Sequence, residues 1–325
     1  MKSRTLGKSG IRASEIGLGC WQLGGDFGPI DDARATATMQ AAMDAGITFF
    51  DTADVYGGGS SETRVGAFVK GKSGISVATK VGRSADLFPT EFDYADVRRH
   101  LVESCERLGV ETLDLIQLHC IPPALLQSGE IFATMDRLVA EGLCSHWGAS
   151  VETIAEAKIC LAQAGCSSLQ IIFNIFRQDA VTDLFPLAKA ANVGIIVRLP
   201  LASGLLTGKF TADTKFDETD HRNYNADGAA FSVGETFSGI PMAKGVELLA
   251  KIKPLVPEGM SLADFALRWI LDHDAVTTVI AGCSKPEQVQ QNARASDLAP
   301  LSAETHKALA DIYAAEIRQH IRSDI

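Results

Sequence analysis

No apolar run in this 325-residue chain approaches the ~18 residues that a membrane-spanning helix needs, so a membrane partner is not expected. The start, Met1-Lys2-Ser3-Arg4-Thr5, lacks the apolar core of a secretion signal. Basic residues are in deficit. The 30 Lys and Arg against 40 Asp and Glu leave a formal charge of −10, a surface that repels phosphate backbones, so nucleic acid is not an expected partner. The seven cysteines (20, 105, 120, 144, 160, 166 and 283) are odd in number and contain no C-x-x-C pair. They sit mostly in apolar segments and read as small core residues of a reducing compartment. A soluble, cytoplasmic protein is expected, and no stripe of the sequence reads as an oligomer interface.

Familiar catalytic signatures are missing too. No G-x-G-x-x-G follows a strand, so a Rossmann cofactor site is unsupported. There is no H-E-x-x-H, the seven His are scattered, and no metal site is expected. A G-x-S-x-G nucleophile elbow is absent. Residues 66–73 do match the phosphate-loop pattern G-x-x-x-x-G-K-S. A working phosphate loop follows a strand and opens a helix, whereas this match ends a helical pattern and precedes a strand.

What is present is an alternation. Residues 2–13 read as a hairpin around Leu6-Gly7-Lys8-Ser9-Gly10. Short apolar strands follow at 15–20, 47–50, 75–79, 113–118, 146–150, 169–174, 194–197 and 277–281. Helical pattern separates them: Asp31-Asp32 caps a helix running to Ala45, and Ser60 to Lys70 is helical. Residues 92–108 place Val97, Leu101, Cys105 and Leu108 on one face, as Ile131, Met135, Leu138 and Val139 do in the next helix. Further helices are expected around Ile154 to Ala164, at 180–191, from the capping box Ser261-x-x-Asp264, at 286–295 and at 302–317. Eight β-then-α units with no Pro/Ser-rich linker and no charge block argue for one α/β domain, a single (β/α)₈ (TIM) barrel over 1–325. Residues 208–240 are long, polar and aperiodic, and are read as a lid on the C-terminal face. Residues 302–325 form a C-terminal helix and tail.

In such a barrel chemistry gathers at the strand C-termini. The run Ile47 to Phe50 ends in Asp51, and five residues on comes Tyr56, in a loop made mobile by Gly57, Gly58 and Gly59. A buried carboxylate needs a cationic partner. A phenol, with a pKa near about 10, is a poor acid at neutral pH unless something depresses that value. Lys80 at the end of a second strand would serve both, and His119 at the end of a third would complete a proton-transfer site. Singly, each has a structural reading: core carboxylate, its partner, loop aromatic, satisfied histidine. An acid, an ammonium, a phenol and an imidazole at successive strand ends point instead to proton chemistry.

These residues resemble the aldo-keto reductase family. Asp51-Thr52-Ala53-Asp54-Val55-Tyr56-Gly57 is similar to its first active-site motif, followed by Ala78-Thr79-Lys80 and Leu115-Ile116-Gln117-Leu118-His119. Gln170 with Asn174, residues 200–209, and residues 280–288 ending at Asn292 continue the match, which covers roughly residues 2 to 295. The resemblance implies NADP(H) extended across the C-terminal face, with NAD(H) possible, and a small carbonyl or alcohol substrate. Asp51, Tyr56, Lys80 and His119 become the catalytic set, with Tyr56 the general acid, Lys80 lowering its pKa and His119 orienting the carbonyl.

The same resemblance places Gly19, Cys20, Trp21 and Asp51 against the cofactor, Ser150 and Gln170 on its carboxamide, and Arg198 where many members stack an aromatic on nicotinamide. Val151 stands where the family often has Asn. Pro200, Leu201, Gly204, Leu205, Lys209 and Arg222 fall toward the pyrophosphate. Gly282, Ser284, Lys285, Gln288, Gln291 and Asn292 fall toward the adenosine, where Ser and Lys suit a 2′-phosphate and favour NADP. Trp21, Asp54, Tyr56, His119, Cys120 and Trp147 are the expected substrate residues, a mixture that suits sugars, polyols, hydroxylated aldehydes or ring ketones. Two other readings stay open: a non-catalytic NADPH-sensing subunit, as in the family's potassium-channel relatives, and a metal-dependent lyase or isomerase using Asp51, His119 and Lys80.

Overall fold

The computed structural model describes residues 1–90 and 92–325. An antiparallel pair, β1 (Ser3–Thr5) and β2 (Arg12–Ser14), precedes eight parallel strands. These are β3 (Ile16–Gly19), β4 (Phe49–Asp51), β5 (Ser76–Val81), β6 (Leu115–His119), β7 (Trp147–Ser150), β8 (Cys166–Ile172), β9 (Gly194–Arg198) and β10 (Val276–Gly282). They close into a barrel in chain order, with β10 returning to β3. All eight are buried along nearly their whole length, as parallel strands covered by helices must be. Among the described residues no helix is long and apolar enough to cross a membrane.

The helices start where their caps are. Asp31 accepts the Arg34 amide at 2.7 Å, Asp93 that of Asp96 at 2.9 Å, and Ser261 that of Asp264 at 3.1 Å. Gly66 shows what the phosphate-loop match is. It lies inside the helix Ser60–Val69, and a Cβ there would stand 2.6 Å from backbone atoms of Arg107 and Leu108. It is a close-packing glycine between helices, with β5 following.

Four stretches differ from the sequence reading. The helix expected at 180–191 is two, Ala180–Asp183 and Phe185–Ala190, because Pro186 has no amide to continue the ladder. β8 begins at Cys166, not Leu169: Cys166 to Ser168 carry little apolar signal, but pairing with Trp147 and Gly194 makes them strand. Segment 208–240 holds three short turns, His221–Tyr224, Val233–Glu235 and Phe237–Gly239. Asn225 stitches it, accepting the amides of Ala230 (2.9 Å) and Phe231 (3.0 Å) and donating to Thr236 (3.0 Å). A helix at Met242–Ile252 follows, in a stretch to which the sequence reading assigns no element.

The hairpin closes the barrel floor. Leu6, fully buried, sits in a separate apolar cluster with Ala13, Phe49, Ala78, Leu115, Ile196 and Ile280. Gly194 must be glycine, since a Cβ there would lie 2.4 Å from the Leu6 side chain. With the floor plugged, open space is left at the opposite end, where the strand C-termini present their side chains. Leu6→Ala should lower the unfolding free energy by about 3 kcal/mol, the cost of a cavity in a close-packed floor. Urea denaturation reads this, and an unchanged midpoint would show that the hairpin contributes nothing to the core.

Candidate active site

The strand registers set the site. Lys80 pairs with Gln117, and His119 with Ser150, which in turn pairs with Gln170. Lys80 is fully buried, and an ammonium there needs all three donors used. Its Nζ donates to Asp51 Oδ1, to the Thr52 carbonyl at 2.8 Å and to Tyr56 Oη at 3.2 Å. The other Asp51 oxygen, Oδ2, accepts from Gln117 Nε2 at 2.9 Å and Gln170 Nε2 at 2.7 Å, and Gln170 also donates to Gln117 Oε1 at 3.0 Å. Gln117 was legible only as part of a motif; its place in this network depends on the sheet.

Tyr56 opens a short turn in which Gly57 serves a close approach. Gly57 has φ +58°, and a Cβ there would fall 2.1 Å from the Gly24 carbonyl oxygen. Its amide donates to Asp26 Oδ2 at 3.0 Å. The phenol is packed between Trp21, stacked at 5.7 Å, and His119, edge-on at 5.8 Å.

Burial raises the phenol pKa, and Lys80 only partly offsets this, so the expected net depression does not occur. For Lys80 burial works the other way, but Asp51 and Tyr56 together hold its pKa above the ordinary value. Burial, then Arg83, Lys80 and Arg198, push His119 well below the usual histidine range, so the ring is neutral. Its Nδ1 has no partner.

A second polar group lies beside the first. Arg83 Nη2 donates to Glu152 Oε1 at 2.8 Å and to Glu235 Oε1 at 2.9 Å, and Arg198 Nη1 stands 3.5 Å from Glu235 Oε2. Arg198 also donates to the Val151 carbonyl at 3.1 Å and leaves Nε without a partner. Burial resists ionisation of Glu235, but Arg198 and Arg83 hold its pKa down. Burial and neighbouring Glu235 push Glu152 up to about 7. Cys120, Glu152 and Glu235 bring their possible ligand atoms within 4.8 Å of one another, but the guanidiniums already engage both carboxylates.

Both groups border a cavity of about 310 Å³ on the C-terminal face. Of the residues expected there, Gly19, Cys20, Trp21, Asp51, Tyr56, His119, Cys120, Ser150, Gln170, Arg198, Pro200, Leu201, Gly204, Arg222, Gly282, Ser284 and Gln288 line it. Others do not. Trp147 starts β7 at the opposite end of the strand, stacked on Phe132 and donating to Asp136 at 2.6 Å, so it is no substrate wall. Asp54 is buried toward His100, 3.5 Å away. Leu205 packs where a Cβ on Gly245 would meet it, Lys209 is exposed, and Asn292 donates to Cys283. Gln291 borders a different hollow, with Ala45 and Arg294. Lys285 is exposed at the start of the helix Pro286–Ala293.

Gln22, Phe27 and Glu235, which the sequence reading did not single out, also line the cavity, as do Ser203 and Thr207 of the 200–209 motif and His221 of the 208–240 segment. Arg34 reaches its far end, donating to the Ser284 carbonyl at 2.7 Å. The space therefore reaches from a phenol and a neutral imidazole past Arg222 to Ser284 and Gln288. Gln22 Oε1, buried without a partner, lies along it. A long, polar ligand fits that lining.

A family model, the Aldo/keto reductase family, matches residues 15–314. The chain belongs to this family of oxidoreductases. It is 31% identical to "Aldo-keto reductase YhdN" of Bacillus subtilis, covering 89% of this chain and 87% of that protein. It is 30% identical to "Probable voltage-gated potassium channel subunit beta" of Oryza sativa subsp. japonica, covering 93% of each. Among solved structures it is similar to aldo-keto reductase AKR11C1 from Bacillus halodurans, holo form, with a TM-score of 0.78, 28% identity, and coverage of 99% of this chain and 100% of that one.

The raised Glu152 pKa has a thermodynamic signature. Between the ordinary value of 4.5 and about 7 the folded aldo-keto reductase holds a proton that the unfolded chain releases, so this group's contribution to stability falls as pH rises through that window. Glu152→Gln cannot ionise and should gain stability relative to wild type from pH 5 to 7, then hold that gain to pH 8. Thermal melting across the range tests it; a constant difference would mean that Glu152 titrates normally.

Proposed function

We propose that this aldo-keto reductase interconverts a small carbonyl compound and its alcohol with NADP(H), Tyr56 acting as general acid and base. The observation that carries the reading is the Lys80 ammonium shared between Asp51 and the Tyr56 hydroxyl at the base of the cavity, with neutral His119 against the phenol. The cofactor supplies hydride when bound. Tyr56 gives its proton to the carbonyl oxygen, and Lys80 at 3.2 Å stabilises the phenolate that remains. Neutral His119 offers an N–H to the same oxygen. The raised phenol pKa keeps that proton in place at neutral pH, which suits reduction; alcohol oxidation, which needs the phenolate, gains as pH rises.

The lining supports a nicotinamide dinucleotide. Gln170 spends its amide N–H groups on Asp51 and Gln117, which leaves its oxygen to accept from a carboxamide. Val151 lacks a side-chain amide, but the unpartnered Arg198 Nε provides a donor beside it. At the far end Arg34 and Lys285 flank Ser284, a setting suited to a 2′-phosphate and hence to NADP over NAD. Gln291, turned away, takes no part. A metal-dependent reaction through Asp51 is disfavoured by donor chemistry: its oxygens are taken by Lys80, Gln117 and Gln170.

The similarity to a potassium channel β subunit favours one second reading, a cofactor-binding regulatory subunit. Tyr56→Phe separates the two. NADPH consumption on a panel of aldehydes, ketones and sugars should fall at least about a hundredfold, with NADPH binding retained. Near-normal turnover in the variant would remove the basis of the reading, and tight NADPH binding with no wild-type turnover would favour the regulatory subunit. Arg34→Ala combined with Lys285→Ala should raise KM for NADPH about tenfold and leave that for NADH nearly unchanged. Equal changes for both cofactors would return the choice between them to NAD.

A further inference from the structure

We propose that His221 reads the substrate, its imidazole binding a hydroxyl of a polyhydroxylated carbonyl compound such as a short sugar. The inference rests on the oxidoreductase reading of the same cavity. His221 lies in the 208–240 segment, lines the cavity and is fully buried, yet neither ring nitrogen has a partner. Native folds seldom leave buried polar atoms unpaired, and where they do the atoms call for a ligand or a functional role. Asp220 does not fill the gap. Its carboxylate stands 3.5 Å from Nδ1 and is engaged by Arg222 through Nε at 2.9 Å and through Nη2.

The ring's chemistry selects the ligand. Burial pushes its pKa down to about 4, so it is neutral at physiological pH and presents one donor and one acceptor. A hydroxyl both donates and accepts, and matches either nitrogen; a carboxylate only accepts and an ammonium only donates. The surroundings suit a C–H-rich, hydroxylated molecule. Phe27 stands edge-on at 4.7 Å, Trp21 tilted at 5.3 Å and Phe231 at 6.4 Å. Trp21 also stacks on Tyr56 at 5.7 Å, which places the imidazole one ring away from the phenol. All three rings line one cavity, so a substrate whose carbonyl is held at Tyr56 and whose chain passes Trp21 brings a hydroxyl toward His221.

The backbone that carries the ring is anchored. Asp220 caps its short helix by accepting the Arg222 amide at 2.9 Å. Further along, Glu235 is tied to Arg83 and Arg198 on the barrel. The ring itself is covered by aromatic side chains, so a hydroxyl reaches its nitrogens by displacing that cover.

Glyceraldehyde and propanal share a three-carbon skeleton and differ in hydroxyls. In the NADPH-loaded protein, His221→Phe should lower the kcat/KM ratio of glyceraldehyde to propanal about tenfold, whereas His221→Gln, which keeps a donor and an acceptor, should retain most of it. NADPH affinity should change less than that ratio does. An unchanged ratio in His221→Phe overturns the proposal, as does a ratio that falls only in step with NADPH affinity. A second measurement needs no turnover. With NADPH present, glycerol should shift the His221 ring signals in the NMR spectrum, recognised by their absence in His221→Gln, and propan-1-ol should not. If no aldehyde is consumed but glycerol shifts those signals, the hydroxyl subsite stands and the oxidoreductase reading fails. If glycerol leaves them unmoved, the subsite falls, whatever the turnover.

Discussion

The Asp51–Lys80 pair is the constraint on which the rest of the site depends. Both side chains are almost wholly removed from water, and a buried ion pair survives only if every remaining donor and acceptor is satisfied. The fold meets that demand with groups from two further strands and the loop after β4: Gln117 and Gln170 on the carboxylate, the Thr52 carbonyl and the Tyr56 hydroxyl on the ammonium. Removing either partner would strand a buried charge, at a cost of about 3–5 kcal/mol. The phenol thereby has a cation held at its oxygen by the same bonds that stabilise the pair.

A second ionic group does for the cover what the first does for the floor of the cavity. Arg83 lies just past β5 and Arg198 ends β9, and Glu235 belongs to the 208–240 segment. Asn174 adds a neutral tie, donating to Ser238 at 2.8 Å and to the Leu199 carbonyl at 2.9 Å. Held this way, the segment brings His221 and Arg222 to the cavity at set positions. It is irregular because its backbone follows the barrel rim, and it is tied down at Asn225, Glu235 and Ser238.

Much of the fold was legible because barrel strands are short apolar runs with punctuation at each end. The hairpin, the eight strands and most helix starts follow from caps, glycines and periodicity. The tetrad was legible because its members end or closely follow such strands, as Asp51, Lys80 and His119 do. Where the reading failed, the missing quantity was direction or distance. Trp147 and Ser150 lie on the same strand, yet one is at the cavity and the other at the far end. Asp54 sits three residues from Asp51 but turns toward His100. The phenol pKa could not be read from the presence of a lysine, because burial outweighs the attraction that lysine supplies.

The amino-acid order alone determined the (β/α)₈ plan and the four groups that can move a proton, since both are encoded in local runs and their endings. Only the tertiary structure decided which polar residues surround those groups. Arg83, Glu152, Glu235 and His221 are separated along the chain by up to 152 positions, as Arg83 and Glu235 are. No periodicity links them, and they meet because barrel closure brings the ends of distant strands to one rim. Their electrostatics follow from that meeting and from the water it excludes, neither of which is a property of any segment by itself.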